Sequence, residues 1–97
     1  MRHFIIAKFR PEITAEEKKA MYPAITALFD NTTKLEGVHS VLVHTNCTPR
    51  DNRYDLMIEI VMEASALSAY DGCEWHHEWK EKYGPMLEKK AIFDCED

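Results

Sequence analysis

The chain has 97 residues, 45% hydrophobic and 30% charged, which sets it as one soluble domain with a modest core that gains from a partner subunit. Its net charge of −5 argues against a nucleic-acid or anionic-membrane surface, since either needs a basic patch. Apolar runs are only strand-sized, as in Phe4-Ile5-Ile6-Ala7, so neither a membrane span nor a secretory h-region is expected.

Residues 2–10 alternate at strand spacing, with His3, Ile5, Ala7 and Phe9 on one face and Phe4, Ile6 and Lys8 on the other. Both faces carry apolar side chains, so both are expected to be covered. Pro11 ends the strand. Thr14-Ala15-Glu16-Glu17 is a capping-box sequence, and the helix it opens carries Met21, Ala24, Ile25, Leu28 and Phe29 on one stripe. Pro23 lies inside this helix, which predicts a bend near Tyr22 and a second segment opening at Pro23.

Val38 to Thr45 reads as a second strand. Asn46 to Arg53 is polar and turn-rich, hence an exposed loop. Tyr54 to Met62 reads as a third strand, with Tyr54, Leu56, Ile58 and Ile60 opposed to Met57, Glu59 and Val61. Residues 64–70 predict a short helix, interrupted by Asp71-Gly72. Trp75, Trp79 and Tyr83 then recur at helical spacing until Gly84-Pro85. Lys89 to Cys95 is the final strand. Cys47, Cys73 and Cys95 are odd in number and lack a Cys-x-x-Cys pair, which predicts reduced thiols in a cytoplasm and no structural zinc.

The order β-α-β-β-α-β predicts an α+β, ferredoxin-like fold: a four-stranded antiparallel sheet with two helical regions on one face. The other face would carry Phe4, Ile6, Lys8, Glu59, Val61 and Phe93. A face so apolar invites a second copy, and two such faces would close a dimeric α+β barrel. Lys8 and Glu59 are expected to pair across adjacent strands of that face, or else to be solvated separately at its rim.

The ordered set of His3-Phe4-Ile5-Ile6-Ala7-Lys8-Phe9, Pro11 to Glu17, Gly37-Val38, Ala69-Tyr70, a later His, Gly84-Pro85 and Phe93-Asp94 resembles the Dabb family, the stress-responsive α/β barrel domains, over nearly the whole chain. The family often shows Tyr-x-x-His-Pro-x-His after the second helix. Here Tyr70 and His76 match, while Cys73 and Glu74 replace the first His and the Pro. The resemblance implies a homodimeric barrel. It implies no single activity, because relatives include stress-linked proteins and polyketide cyclases, and families of the same fold include isomerases and small monooxygenases.

The candidate catalytic set is His76, Tyr70, Asp94 and His3. His76 is the expected general base, Asp94 the acceptor that fixes its tautomer, and Tyr70 the donor to a developing enolate. The competing reading makes the histidines satisfied core or dimer-edge residues and Tyr70 a packed ring. A pocket between sheet and helices would be lined by Ile5, Ala7, Tyr22, Ile58, Ile60, Trp75, Trp79 and Ile92. At helical spacing the two tryptophans are more often core than pocket lining, and the two readings are not exclusive. No metal and no cofactor are expected: His76 and His77 face different ways, and His77 with Glu81 supplies only two ligands. Weak magnesium binding at the dimer seam stays open through the resemblance alone. Cys73 lies three residues from His76 and is read as an inert buried thiol ahead of a nucleophile.

Three functions remain open: a cofactor-independent cyclase, isomerase or lyase on a small carbonyl compound; a small-molecule-binding or stress-response protein without turnover; and a cofactor-independent monooxygenase. The expected partners are a second copy of the chain and a small-molecule ligand.

Overall fold

The computed structural model describes residues 1–96. Strand β1 (Arg2–Phe9) leads into helix α1 (Ala15–Asp30), then β2 (Val38–Thr45), β3 (Leu56–Met62), the short helix α2 (Leu67–Asp71), helix α3 (Glu74–Tyr83) and β4 (Leu87–Cys95). The sheet order is β2-β3-β1-β4, antiparallel throughout, which is the ferredoxin-like arrangement expected from the sequence.

Each element has a local cause. Thr14 caps α1 reciprocally: its hydroxyl accepts from the Glu17 amide at 3.1 Å, and the Glu17 carboxylate accepts from the Thr14 amide at 3.1 Å. Contrary to the sequence expectation, α1 is one helix running through Pro23. Pro23 is exposed, so water can meet the carbonyl that the missing N–H leaves unbonded. The helix is held instead by Ile25, Leu28 and Phe29, all buried against the sheet side. Gly37 turns the chain into β2 at φ +86°, a left-handed conformation that favours glycine. A Cβ there would also approach the Ala66 Cβ to 3.1 Å.

Two long-range bonds tie down the loop between β2 and β3. The Asp55 carboxylate accepts from the Phe9 amide at 2.7 Å and from Lys18 Nζ at 3.0 Å, linking loop, β1 and α1. Helix α3 docks through Trp79, which meets Phe29 edge-on at 5.2 Å and packs on Tyr83 at 5.5 Å. Fully burying each such side chain contributes roughly 1.5–3 kcal/mol.

Residues directly opposite in the ladders share a face. His3 lies opposite Ile60 and Asp94, and Ile5 opposite Ile58 and Ile92. These point toward the helices. Phe4 lies opposite Glu59 and Phe93 on the reverse face. That register overturns the expected Lys8–Glu59 pair, because Lys8 is four residues further along β1 than Phe4. Lys8 Nζ instead donates to the Asp51 carbonyl at 2.5 Å and lies 3.8 Å from Glu88. Glu59 takes Arg2 at 2.5 Å and His44 at 3.1 Å.

Candidate functional site

One end of the helix-covered face gathers all four residues of the candidate set. The antiparallel register sets His3 on β1 directly against Asp94 on the edge strand β4. His3 Nδ1–H donates to the Asp94 carboxylate at 2.5 Å. The His3 ring is buried, whereas the Asp94 side chain keeps 41% of its exposure and reaches solvent. Above His3 stands Tyr70 of α2, ring edge to ring face, at 5.3 Å. The Tyr70 ring also meets the His76 ring of α3, at 4.9 Å. The order in space is therefore Asp94, His3, Tyr70, His76.

This corrects the expected contact between His76 and Asp94. Asp94 serves His3, and the tautomer of His76 is fixed by another group. His76 Nδ1–H donates to the Asp71 backbone carbonyl at 2.9 Å. A carbonyl only accepts, so the proton of the neutral ring sits on Nδ1 and Nε2 carries the free lone pair. Partial burial lowers the pKa of His76 from its ordinary value of 6.5, chiefly by desolvation, and the bond to Asp71 opposes that shift. The ring is neutral at pH 7 and able to accept a proton. The Asp71 carbonyl was legible in the sequence only as part of the Asp71-Gly72 turn, since a backbone acceptor leaves no side-chain signature.

Tyr70 is fully buried, and among the described residues its hydroxyl has no hydrogen-bond partner. Burial pushes the phenol pKa far above its ordinary value, reinforced by Cys73 and Asp71, so the group stays a protonated donor. An unpartnered buried hydroxyl costs about 1–3 kcal/mol, and such orphans concentrate where a ligand or water completes the bond.

Cys73 caps α3, its Sγ accepting from the His76 amide at 3.4 Å. The thiol thereby places the helix turn that carries His76. His77 lies on the solvated side of α3, 3.6 Å from Glu81. Among the described residues no three His, Cys, Asp or Glu side chains gather as a metal site.

The eight residues expected to line one pocket are distributed differently. Ile5, Ala7, Ile58, Ile60 and Trp79 are packed core at 1% exposure or less. Tyr22 borders a cleft against the β2–β3 loop, and Trp75 borders another between α1 and α3. Ile92 is on the helix-facing side but 52% exposed, because β4 is an edge strand. The large Trp79 ring fills the space that the sequence left open for a cavity.

The fold and this cluster together define a small ferredoxin-like domain whose polar side chains gather at one end of its covered sheet face. The Stress Responsive A/B Barrel Domain profile, Dabb, matches residues 1–97, and the chain belongs to that family. No curated protein matches it. Among solved structures, it is similar to a dimeric protein of unknown function with a ferredoxin-like fold from Bacteroides fragilis, with TM-score 0.81 and 16% identity, covering 99% of this chain and 94% of that one. A Dabb family protein from Mesorhizobium loti gives TM-score 0.63 and 16% identity, covering 99% and 94%. The hydroxynitrile lyase of Passiflora edulis gives TM-score 0.69 and 13% identity, covering 95% and 87%. Among the described residues no helix is long and apolar enough to cross a membrane.

Proposed function

We propose that the chain is a homodimeric, cofactor-independent enzyme acting on a small carbonyl compound as a cyclase, isomerase or lyase. The observation that carries this reading is the buried, unpartnered Tyr70 hydroxyl packed beside a half-buried, neutral His76. His76 Nε2 takes a proton from the carbon next to the carbonyl. The electron pair of that C–H bond moves into the enolate, whose oxygen accepts a hydrogen bond from Tyr70. Asp94 orients His3, and His3 holds the Tyr70 ring from beneath. The hydroxynitrile lyase among the fold neighbours supports a lyase as one of the three classes. The homodimer is supported by the apolar reverse face of the sheet, where Leu42 and Phe93 are 57% and 59% exposed, and by the neighbour described as dimeric.

The test is a turnover screen of small carbonyl compounds with wild type and His76→Ala. Loss of a general base lowers the rate about 10²–10⁴-fold. The wild-type rate should fall on acidification, through a pKa below 6.5, because the depressed pKa keeps the base form available down to that point. Folding stability follows the same sign. The unfolded chain binds the proton more readily, so stability contributed above pH 6.5 is lost as pH falls through the folded value. Unchanged turnover in His76→Ala removes the general-base assignment.

Binding without turnover is the second reading, favoured by the packing of Tyr70 and Trp79 at no more than 1% exposure. It predicts a ligand that binds and is recovered unaltered.

A further inference from the structure

The opposite end of β1 from His3 opens into a cleft of about 620 Å³ between β1, the start of α1, the β2–β3 loop and the start of β4. Lys8 and His3 are five residues apart, roughly 17 Å along an extended strand, so this cleft is separate from the His76 cluster. Five cations line it: Lys8, Arg10, Lys18, Arg50 and Arg53. Three carboxylates accompany them, Asp51, Asp55 and Glu88. Five against three leaves two positive charges in excess, on a chain whose net charge is −5.

The cations differ in how they are held. Lys18 is paired with Asp55 at 3.0 Å, and Lys8 lies 3.8 Å from Glu88. The three guanidinium groups have no carboxylate partner among the described residues. Arg10 Nε donates to the Pro85 carbonyl at 3.0 Å, and Arg53 donates to the Asn52 side-chain oxygen at 2.5 Å. A neutral acceptor orients a guanidinium without cancelling its charge, and leaves its other N–H donors available as a fork. Asp55 is already occupied by Lys18 and the Phe9 amide, so it is not free to neutralise them.

We propose that this cleft binds a small phosphate ester through Arg10, Arg50 and Arg53. Guanidinium forks match phosphate oxygens in planar, paired hydrogen bonds. A phosphate monoester carries about −1.5 to −2 charges at neutral pH, which balances the local excess of two. The cleft volume lies within the range of about 300–1,000 Å³ that accommodates a small organic molecule, larger than inorganic phosphate requires. The site stands independently of the carbonyl chemistry proposed for His76.

The experiment is an amide NMR titration of the full chain with inorganic pyrophosphate, with inorganic phosphate and with sodium chloride at matched ionic strength. Pyrophosphate should shift residues 8–11 and 46–55 in a saturable way and leave the amides of Tyr70 and His76 in place. Arg50→Gln with Arg53→Gln, both on an exposed loop, should weaken pyrophosphate binding at least tenfold. Arg10→Gln should weaken it separately. Equal shifts with chloride overturn the proposal, as does saturation at another surface or unchanged affinity in the loop variants. Stronger shifts with a short single-stranded RNA than with pyrophosphate overturn it in favour of a nucleic-acid surface. Because turnover is not read, failure here leaves the His76 assignment standing, and failure of that assignment leaves this one.

Discussion

The two faces of one sheet are made from the same four strands and differ in almost every other respect. Toward the helices, Ile5, Ala7, Ile58 and Ile60 are all at 1% exposure or less. On the reverse, their chain neighbours Phe4, Ile6, Met57 and Val61 are only half-buried, and Leu42 and Phe93 are more than half exposed. Apolar character is therefore common to both faces; what separates them is that α1 and α3 cover only one. The polar groups divide in a corresponding way. The covered face hides a histidine and a tyrosine hydroxyl that has no partner among the described residues, whereas the reverse face carries Glu59 bonded to both Arg2 and His44.

The largest effect that this contrast predicts is at the covered face. Ile58→Ala removes a side chain with 0% exposure from the centre of the core and should cost about 2–5 kcal/mol, read from urea denaturation. A cost below about 1 kcal/mol would mean that the covered face is far looser than its burial indicates. The reverse face should respond differently. Phe93→Glu puts a charge where the ring is 59% exposed and in contact with Phe4 at 6.2 Å. Within one chain that change should alter stability by no more than about 0.5 kcal/mol. In a dimer the wild-type urea midpoint rises with protein concentration, since association stabilises the folded state by mass action. Phe93→Glu should remove that dependence and weaken self-association at least tenfold in sedimentation equilibrium. A variant that still sediments as the wild type would place the subunit contact elsewhere.

The same contrast explains what the sequence made legible. Period-two alternation reports which residues share a face, and the helix side does carry His3, Ile5, Ala7, Ile58 and Ile60 together. Periodicity does not report register between strands. The expected Lys8–Glu59 pair failed for that reason: both residues are on the reverse face, but the ladder sets Glu59 against Phe4. Nor does it distinguish a filled space from a cavity, so the helical spacing of Trp79 favours core without excluding a pocket. The four residues of the candidate cluster were named from the sequence, but their order in space depended on two contacts it does not encode. One is the edge-strand pairing of His3 with Asp94; the other is the backbone carbonyl that takes His76. The basic cleft was missed because its five cations come from four segments whose individual charge balance is unremarkable.

The one change expected not to destabilise the fold, and the sharpest for function, is at Tyr70. A buried tyrosine hydroxyl with a good partner contributes about 1 kcal/mol net, and removing it normally costs that much. Among the described residues the Tyr70 hydroxyl has no such partner, so Tyr70→Phe removes only a desolvated polar atom and keeps the ring that meets both His3 and His76. Its unfolding free energy, read from urea denaturation, should be unchanged or slightly higher, by up to about 1 kcal/mol. If the hydroxyl is kept for a ligand, the same variant should lose turnover, or ligand affinity, by roughly tenfold or more, because a ligand oxygen then lacks its donor. A stabilised variant with unimpaired function would make the orphaned hydroxyl an accident of packing. A destabilised one would show that water completes its bond in solution, and the covered face would then be wetter at this end than the dry core around Ile58.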